Sequence, residues 1–122
     1  SASSLQAQMT YHEDQWAEAK ESARESDKAI LVDFYADWCI PCKNMDRYTL
    51  RDPEVKALLD DHFILVKVDV EQFSGMDIVD IYEVSRYPTF VFTDSQAREQ
   101  TRSIGFKGAN EFHTLLSTFL NR

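Results

Sequence analysis

Two stretches of the chain are apolar almost without interruption: Ala29-Ile30-Leu31-Val32-Asp33-Phe34-Tyr35-Ala36 and Phe63-Ile64-Leu65-Val66-Lys67-Val68-Asp69-Val70. Runs of this length and β-branched content suit strands covered on both faces. A shorter run, Phe90-Val91-Phe92, reads as a third strand. The turn Asp94-Ser95-Gln96-Ala97 then leads to a hairpin partner at Thr101 to Ile104. Met9-Thr10-Tyr11 reads as a short edge strand. The remaining segments have helical spacing. From Glu13 to about Ser26, Trp16, Ala19, the stem of Lys20 and Ala23 fall on one stripe among charges, and Thr10 with Glu13 resembles a capping box. Lys43 to about Leu50 reads as a second helix. Asp52-Pro53 starts a third, with Asp52 as N-cap, Pro53 as first residue and Val55, Leu58 and Leu59 as its buried stripe. Gly75 opens a loop into a helix carrying Ile78, Val79, Ile81, Tyr82 and Val84. Gly105 and Gly108 precede a last helix, about Ala109 to Leu120, that buries Phe112, Leu115, Leu116 and Phe119. The order is βαβα, then αβ, then ββα. It predicts an α/β fold with a central mixed sheet of four or five strands, helices on both faces, and residues 29–36 and 63–70 at the centre.

Composition narrows the function. A chain of 122 residues is long enough for one domain with its own core. Residues 1–8 are expected to form a disordered tail or an expression remnant, and 9–122 the domain. The formal charge of −8 argues against nucleic acid as a partner, because nothing would neutralise phosphates. No secretory leader is read at the start, and no apolar run approaches the ~20 residues of a membrane span.

The chemistry lies in Trp38-Cys39-Ile40-Pro41-Cys42-Lys43, which holds the only two cysteines. They fall where a strand gives way to a helix, and Cys-x-x-Cys at such a junction is a redox motif. A helix N-terminus offers free N–H groups and partial positive charge, both of which favour a thiolate at Cys39. Half of a zinc site is the competing reading. It needs two more ligands, whereas His12, His62 and His113 are scattered singly. Covalent haem needs a His after the second Cys, where Lys43 stands.

Strand order and motif together resemble the thioredoxin fold. The resemblance rests on Val32-Asp33-Phe34-Tyr35-Ala36-Asp37-Trp38-Cys39, on Pro41-Cys42-Lys43, on Lys67 followed by Val68-Asp69, on Pro88-Thr89 before a hydrophobic strand, and on Gly105 ahead of the last helix. Leu31, Asp33, Tyr35, Ala36, Asp37, Trp38, Cys39, Cys42 and Lys43, then Tyr48, Thr49, Asp52, Pro53 and Val55, are also similar to the C-terminal periplasmic domain of the DsbD family of thiol:disulfide interchange proteins. That resemblance implies a periplasmic domain of an inner-membrane protein. It would be a monomeric unit taking electrons from a transmembrane domain and handing them to an N-terminal periplasmic domain, with protein disulfides and dithiols as partners. It also implies no metal and no cofactor beyond the Cys39–Cys42 disulfide. Pro41 between the cysteines is more typical of ordinary thioredoxins. It keeps open a free-standing periplasmic reductase, and a redox-inactive binding module of the same fold is the third reading.

Roles follow for single residues. Cys39 is the expected nucleophile, its sulfur facing solvent and more exposed than that of Cys42. Cys42, one turn into the helix, is the expected resolving thiol. Asp33, a carboxylate inside an apolar strand, is expected to be buried, raised in pKa and placed beneath Cys42 to accept its proton. Lys67 on the adjoining strand would pair with Asp33, against the alternative of a solvated edge lysine. The resemblance makes Pro88 a cis-proline facing the cysteines, with its neighbour Tyr87 free to pair with an extended substrate. Trp38 and Tyr35 are expected to cover the site, and Met45 to be structural. No His lies between the cysteines, which disfavours a strong oxidant.

Overall fold

A computed structural model describes residues 8–10 and 13–122, with side chains from residue 15 onward. The strands are β1 (Gln8–Thr10), β2 (Ala29–Tyr35), β3 (Phe63–Asp69), β4 (Thr89–Thr93) and β5 (Glu99–Ile104). The helices are α1 (Glu13–Ser26), α2 (Ile40–Asn44), α3 (Pro53–His62), α4 (Met76–Tyr82) and α5 (Ala109–Leu120). Tyr11 and His12, and the side chains through which Thr10 and Glu13 would form a capping box, lie outside the described residues.

The five strands form one mixed sheet in the order β1-β3-β2-β4-β5. β3 runs parallel to both β1 and β2, and β4 runs antiparallel to β2 and β5. The two apolar runs therefore occupy central positions. Strand alternation sorts their side chains onto two faces. Ile30, Val32 and Phe34 of β2 join Ile64, Val66 and Val68 of β3 in a core with Trp16, Ala19 and Ala23 of α1 and Ile78 and Tyr82 of α4. Leu31, Phe63 and Leu65 point the other way. They meet Phe90 and Phe92 of β4, Val55 and Leu59 of α3, and Phe112, Leu116 and Phe119 of α5.

α3 starts where its residues require. The Asp52 carboxylate accepts from the N–H groups of Glu54 and Val55, and Pro53 fills the first turn. α4 is shorter than its apolar pattern suggested. Ile78 and Tyr82 are buried, but Ile81 is exposed and Val84 falls beyond the helix end. The helix after the cysteines does reach Thr49, but not as one α-helix. It widens over Met45–Thr49 into a π-turn, in which the N–H of Leu50 donates to the carbonyl of Met45 at 2.8 Å. Two contacts tie that turn to the β5–α5 loop. Thr49 Oγ1 donates to the Lys107 carbonyl at 2.6 Å, and the Lys107 N–H donates to the Met45 sulfur at 3.3 Å. Met45 is thus a structural residue, buried in the aromatic core.

Candidate active site

Cys39 caps α2. Its backbone is extended, and its sulfur accepts from the backbone N–H of Cys42 at 3.2 Å. A sulfur at this position replaces the oxygen that usually caps a helix, and negative charge on it would be stabilised by the helix end. Cys39 and Cys42 form a disulfide, with 5.3 Å between their Cα atoms. Pro41 sits in the first turn, where a missing N–H costs nothing.

The expected exposure of Cys39 is corrected here. In this disulfide state Cys39 is 3% exposed and Cys42 4%. Ala36, Cys39 and Cys42 form a small cluster of their own, against which Tyr35, Val70 and Tyr87 pack. Packing by those three side chains accompanies the burial of both cysteines. Trp38 covers less than expected: it is 64% exposed and touches Tyr87 edge to face, at 6.3 Å between ring centres.

Asp33 is buried in the middle of β2, directly across from Lys67 in the β2–β3 register. Lys67 Nζ donates to Asp33 Oδ2 at 3.1 Å. It also donates to Asp46 Oδ1, on the π-turn four residues past Cys42. Burial pushes the Asp33 carboxyl above its ordinary range, and Lys67 only partly offsets this. Burial also opposes the charge on Lys67, but Asp33 and Asp46 outweigh it and hold the amine above its ordinary value. One cation therefore serves two carboxylates. It also lies over the ring of Tyr35, 5.1 Å from the ring centre. Burial, and then Asp69, raise the Tyr35 phenol. The solvated-edge alternative for Lys67 does not hold.

The Tyr87–Pro88 peptide is cis. The Pro88 carbonyl accepts from the Gly105 N–H at 2.8 Å, and β4 begins at the next residue. Tyr87 packs against the cysteine cluster. The structure thus brings together Cys39, Cys42, Tyr35, Tyr87 and Trp38, and links Asp33 through Lys67 to the helix that carries Cys42. Two participants were missed in the sequence. Asp46 had a signal, an acid one helical turn beyond Cys42, but nothing local joins it to Lys67. Val70 had none beyond closing an apolar run. Among the described residues no group of His, Cys, Asp and Glu side chains could hold a metal ion. No described helix is long and apolar enough to cross a membrane.

The model of a family described as thioredoxin-like matches residues 11–95. The chain belongs to the thioredoxin-like family. It is also 37% identical over 94 residues to the thiol:disulfide interchange protein DsbD of Vibrio vulnificus, an alignment covering 74% of this chain and 16% of that protein. The chain thus spans only about a sixth of the length of the curated relatives it matches. Among solved structures, a thioredoxin from Thermus thermophilus superposes with a TM-score of 0.80 at 28% identity, over 93% of this chain and 88% of that one. The reduced DsbD C-terminal domain of Neisseria meningitidis gives 0.74 at 28% identity, over 90% and 98%. Within a thioredoxin-like fold, a disulfide-bonded Cys-x-x-Cys at a helix start supports dithiol–disulfide exchange.

Proposed function

We propose that this chain is a protein-disulfide reductase whose Cys39–Cys42 pair carries electrons from a membrane-embedded donor to a periplasmic protein disulfide. Residues 9–122 act as its redox unit, and the transmembrane and N-terminal domains of a DsbD-like protein are its partners. The observation that carries the reading is the capped, disulfide-bonded pair on a helix tethered through Asp46 and Lys67 to the buried Asp33. In the reduced form, the Cys39 thiolate attacks one sulfur of the partner disulfide. A mixed disulfide forms and one partner thiolate leaves. The Asp33 carboxylate takes the proton of Cys42. The Cys42 thiolate then attacks the Cys39 sulfur, re-forming the internal disulfide and releasing the second partner thiolate. Two electrons pass to the partner. Pro88 and Tyr87 form the wall against which the partner's extended backbone lies. Pro88, lacking an N–H, does not compete for the thiolate.

A free-standing periplasmic reductase is the second reading, favoured by Pro41 and by the likeness to the Thermus thioredoxin. In both readings the dithiol is a reductant, with a potential nearer about −270 mV than about −120 mV. The test is equilibration with glutathione and dithiothreitol buffers, read by Trp38 fluorescence, together with trapping. Cys42→Ala should accumulate a mixed disulfide with a partner and Cys39→Ala should not. Alkylation of the reduced protein should modify Cys39 first. Equal trapping by both variants, or a potential near the more oxidising value, would overturn the assignment.

A further inference from the structure

Phe73 is the most exposed large apolar side chain among the described residues, at 89%. It stands at the start of a single 3₁₀ turn, Phe73–Gly75, between β3 and α4. Its exposure is imposed by a pinned backbone. The Gln72 N–H donates to the Asp69 carbonyl at 3.1 Å, the Glu71 N–H to Asp69 Oδ1 at 3.0 Å, and the Gly75 N–H to the Gln72 carbonyl at 2.9 Å. Gly75 lies so close to β3 that a Cβ there would come within 2.6 Å of the Asp69 carbonyl oxygen, so the loop is clamped to the strand end. Phe73, Ser74, Met76, Asp77 and Asp80 line a groove of about 310 Å³. Met76 is half-exposed, and neither aspartate has an ion-pair partner among the described residues.

The groove lies within a short stretch of chain of the cysteine cluster. Val70 packs against the Cys39–Cys42 cluster, and Phe73 follows three residues later, at most about 11 Å along the chain. A standard interface covers roughly 800 Å² per partner, a patch about 30 Å across, which is wide enough for a protein seated on the disulfide to reach the groove. The occupant follows from charge and shape. An open aromatic face beside two unpaired carboxylates matches a guanidinium, which stacks on a ring and donates to carboxylates at once. A second copy of this chain would bring the same two carboxylates and a charge of −8 against its own. We propose that this groove binds an arginine-bearing segment of the protein that exchanges disulfides with Cys39–Cys42. The inference rests on the exchange reading for its substrate, but its binding test does not.

The probes are two synthetic cyclic disulfide peptides, identical but for an Arg or a Gln in an arm about 10 Å from the disulfide, and their Cys→Ser forms. Amide shifts of the ¹⁵N-labelled protein report binding of the Cys→Ser forms without any exchange. The Arg peptide should shift residues 71–80 and the Gln peptide should not. The reduced protein should reduce the Arg disulfide about fivefold faster than its Gln twin, with the advantage fading at high salt. Phe73→Ala, and Asp77→Asn with Asp80→Asn, should abolish the advantage while leaving bis(2-hydroxyethyl) disulfide reduction unchanged. Glu18→Gln with Glu25→Gln makes the same charge change on α1 and should leave the advantage intact. Equal loss in that control, no shifts at residues 71–80, or a Phe73-dependent dimer indifferent to the Arg peptide would overturn the proposal. Shifts with no reduction of any disulfide would confirm the groove and sink the exchange reading.

Discussion

The two faces of one sheet carry opposite kinds of burial. Under α1 and α4, β2 and β3 present Ile30, Val32, Phe34, Ile64, Val66 and Val68, all aliphatic or aromatic. On the other face the same strands present Leu31, Phe63 and Leu65 at one end, and at the other Asp33 facing Lys67. The sites differ in what the covering helix can offer. Hydrophobic cover leaves a charge unmatched, whereas the π-turn continuing α2 brings Asp46 to the exposed end of Lys67. A buried charge is thus tolerated where a helix supplies a counter-charge, and that is the helix holding the cysteines.

The sharpest test of this contrast is to place a carboxylate on the wrong face. Val66 is fully buried opposite Val32. Val66→Asp should cost more than about 4 kcal/mol and leave the chain unfolded by circular dichroism. A folded, cooperative variant would show that the two faces are interchangeable. Next in size is Lys67→Met, which strands Asp33 without its cation. It should cost about 3 kcal/mol at pH 7 in urea unfolding, and less as acid protonates Asp33. A cost that does not vary with pH would mean that the stem of Lys67, not its charge, matters.

Asp33→Asn should act in the opposite sense on stability, by about 1–2 kcal/mol at pH 7, because it removes a desolvated charge while Lys67 keeps Asp46. The sign follows from linkage. The folded-state pKa of Asp33 is raised above the ordinary 3.8, so its favourable contribution is complete below 3.8 and is lost as pH rises through the raised value. Wild type and variant should therefore converge in acid and separate toward neutrality. The same variant should prolong mixed disulfides, on the order of 100-fold, while alkylation of Cys39 changes little. Unchanged resolution would confine Asp33 to a structural part. The smallest effect belongs to Asp46→Asn. Its side chain is half-exposed, so stability should change by less than about 1 kcal/mol. The carboxyl titration of Asp33, followed by NMR, should move down, because Asp46 adds repulsion to it and competes for Lys67.

Much of this was legible in the chain because it is local. The runs at 29–36 and 63–70 became central strands, since residues apolar on both faces have no stable edge position. Asp52-Pro53 started a helix because cap and proline act within one turn. The redox motif was readable because both sulfurs and the N–H that caps one of them lie within four residues. Asp33 announced its own burial by standing alone in an apolar strand. Other features needed the folded chain. The pairing of Asp33 with Lys67 depends on the register of two strands 34 residues apart. Asp46 meets Lys67 from within a π-turn, and that turn is tied by contacts to Lys107 some 60 residues later. The cluster that holds Cys39 is packed by Tyr35, Val70 and Tyr87, which come to it from three separate strand ends. Sequence spacing sets which groups share a face. Only tertiary packing sets which faces meet, because its energy comes from contacts between residues that the chain keeps far apart.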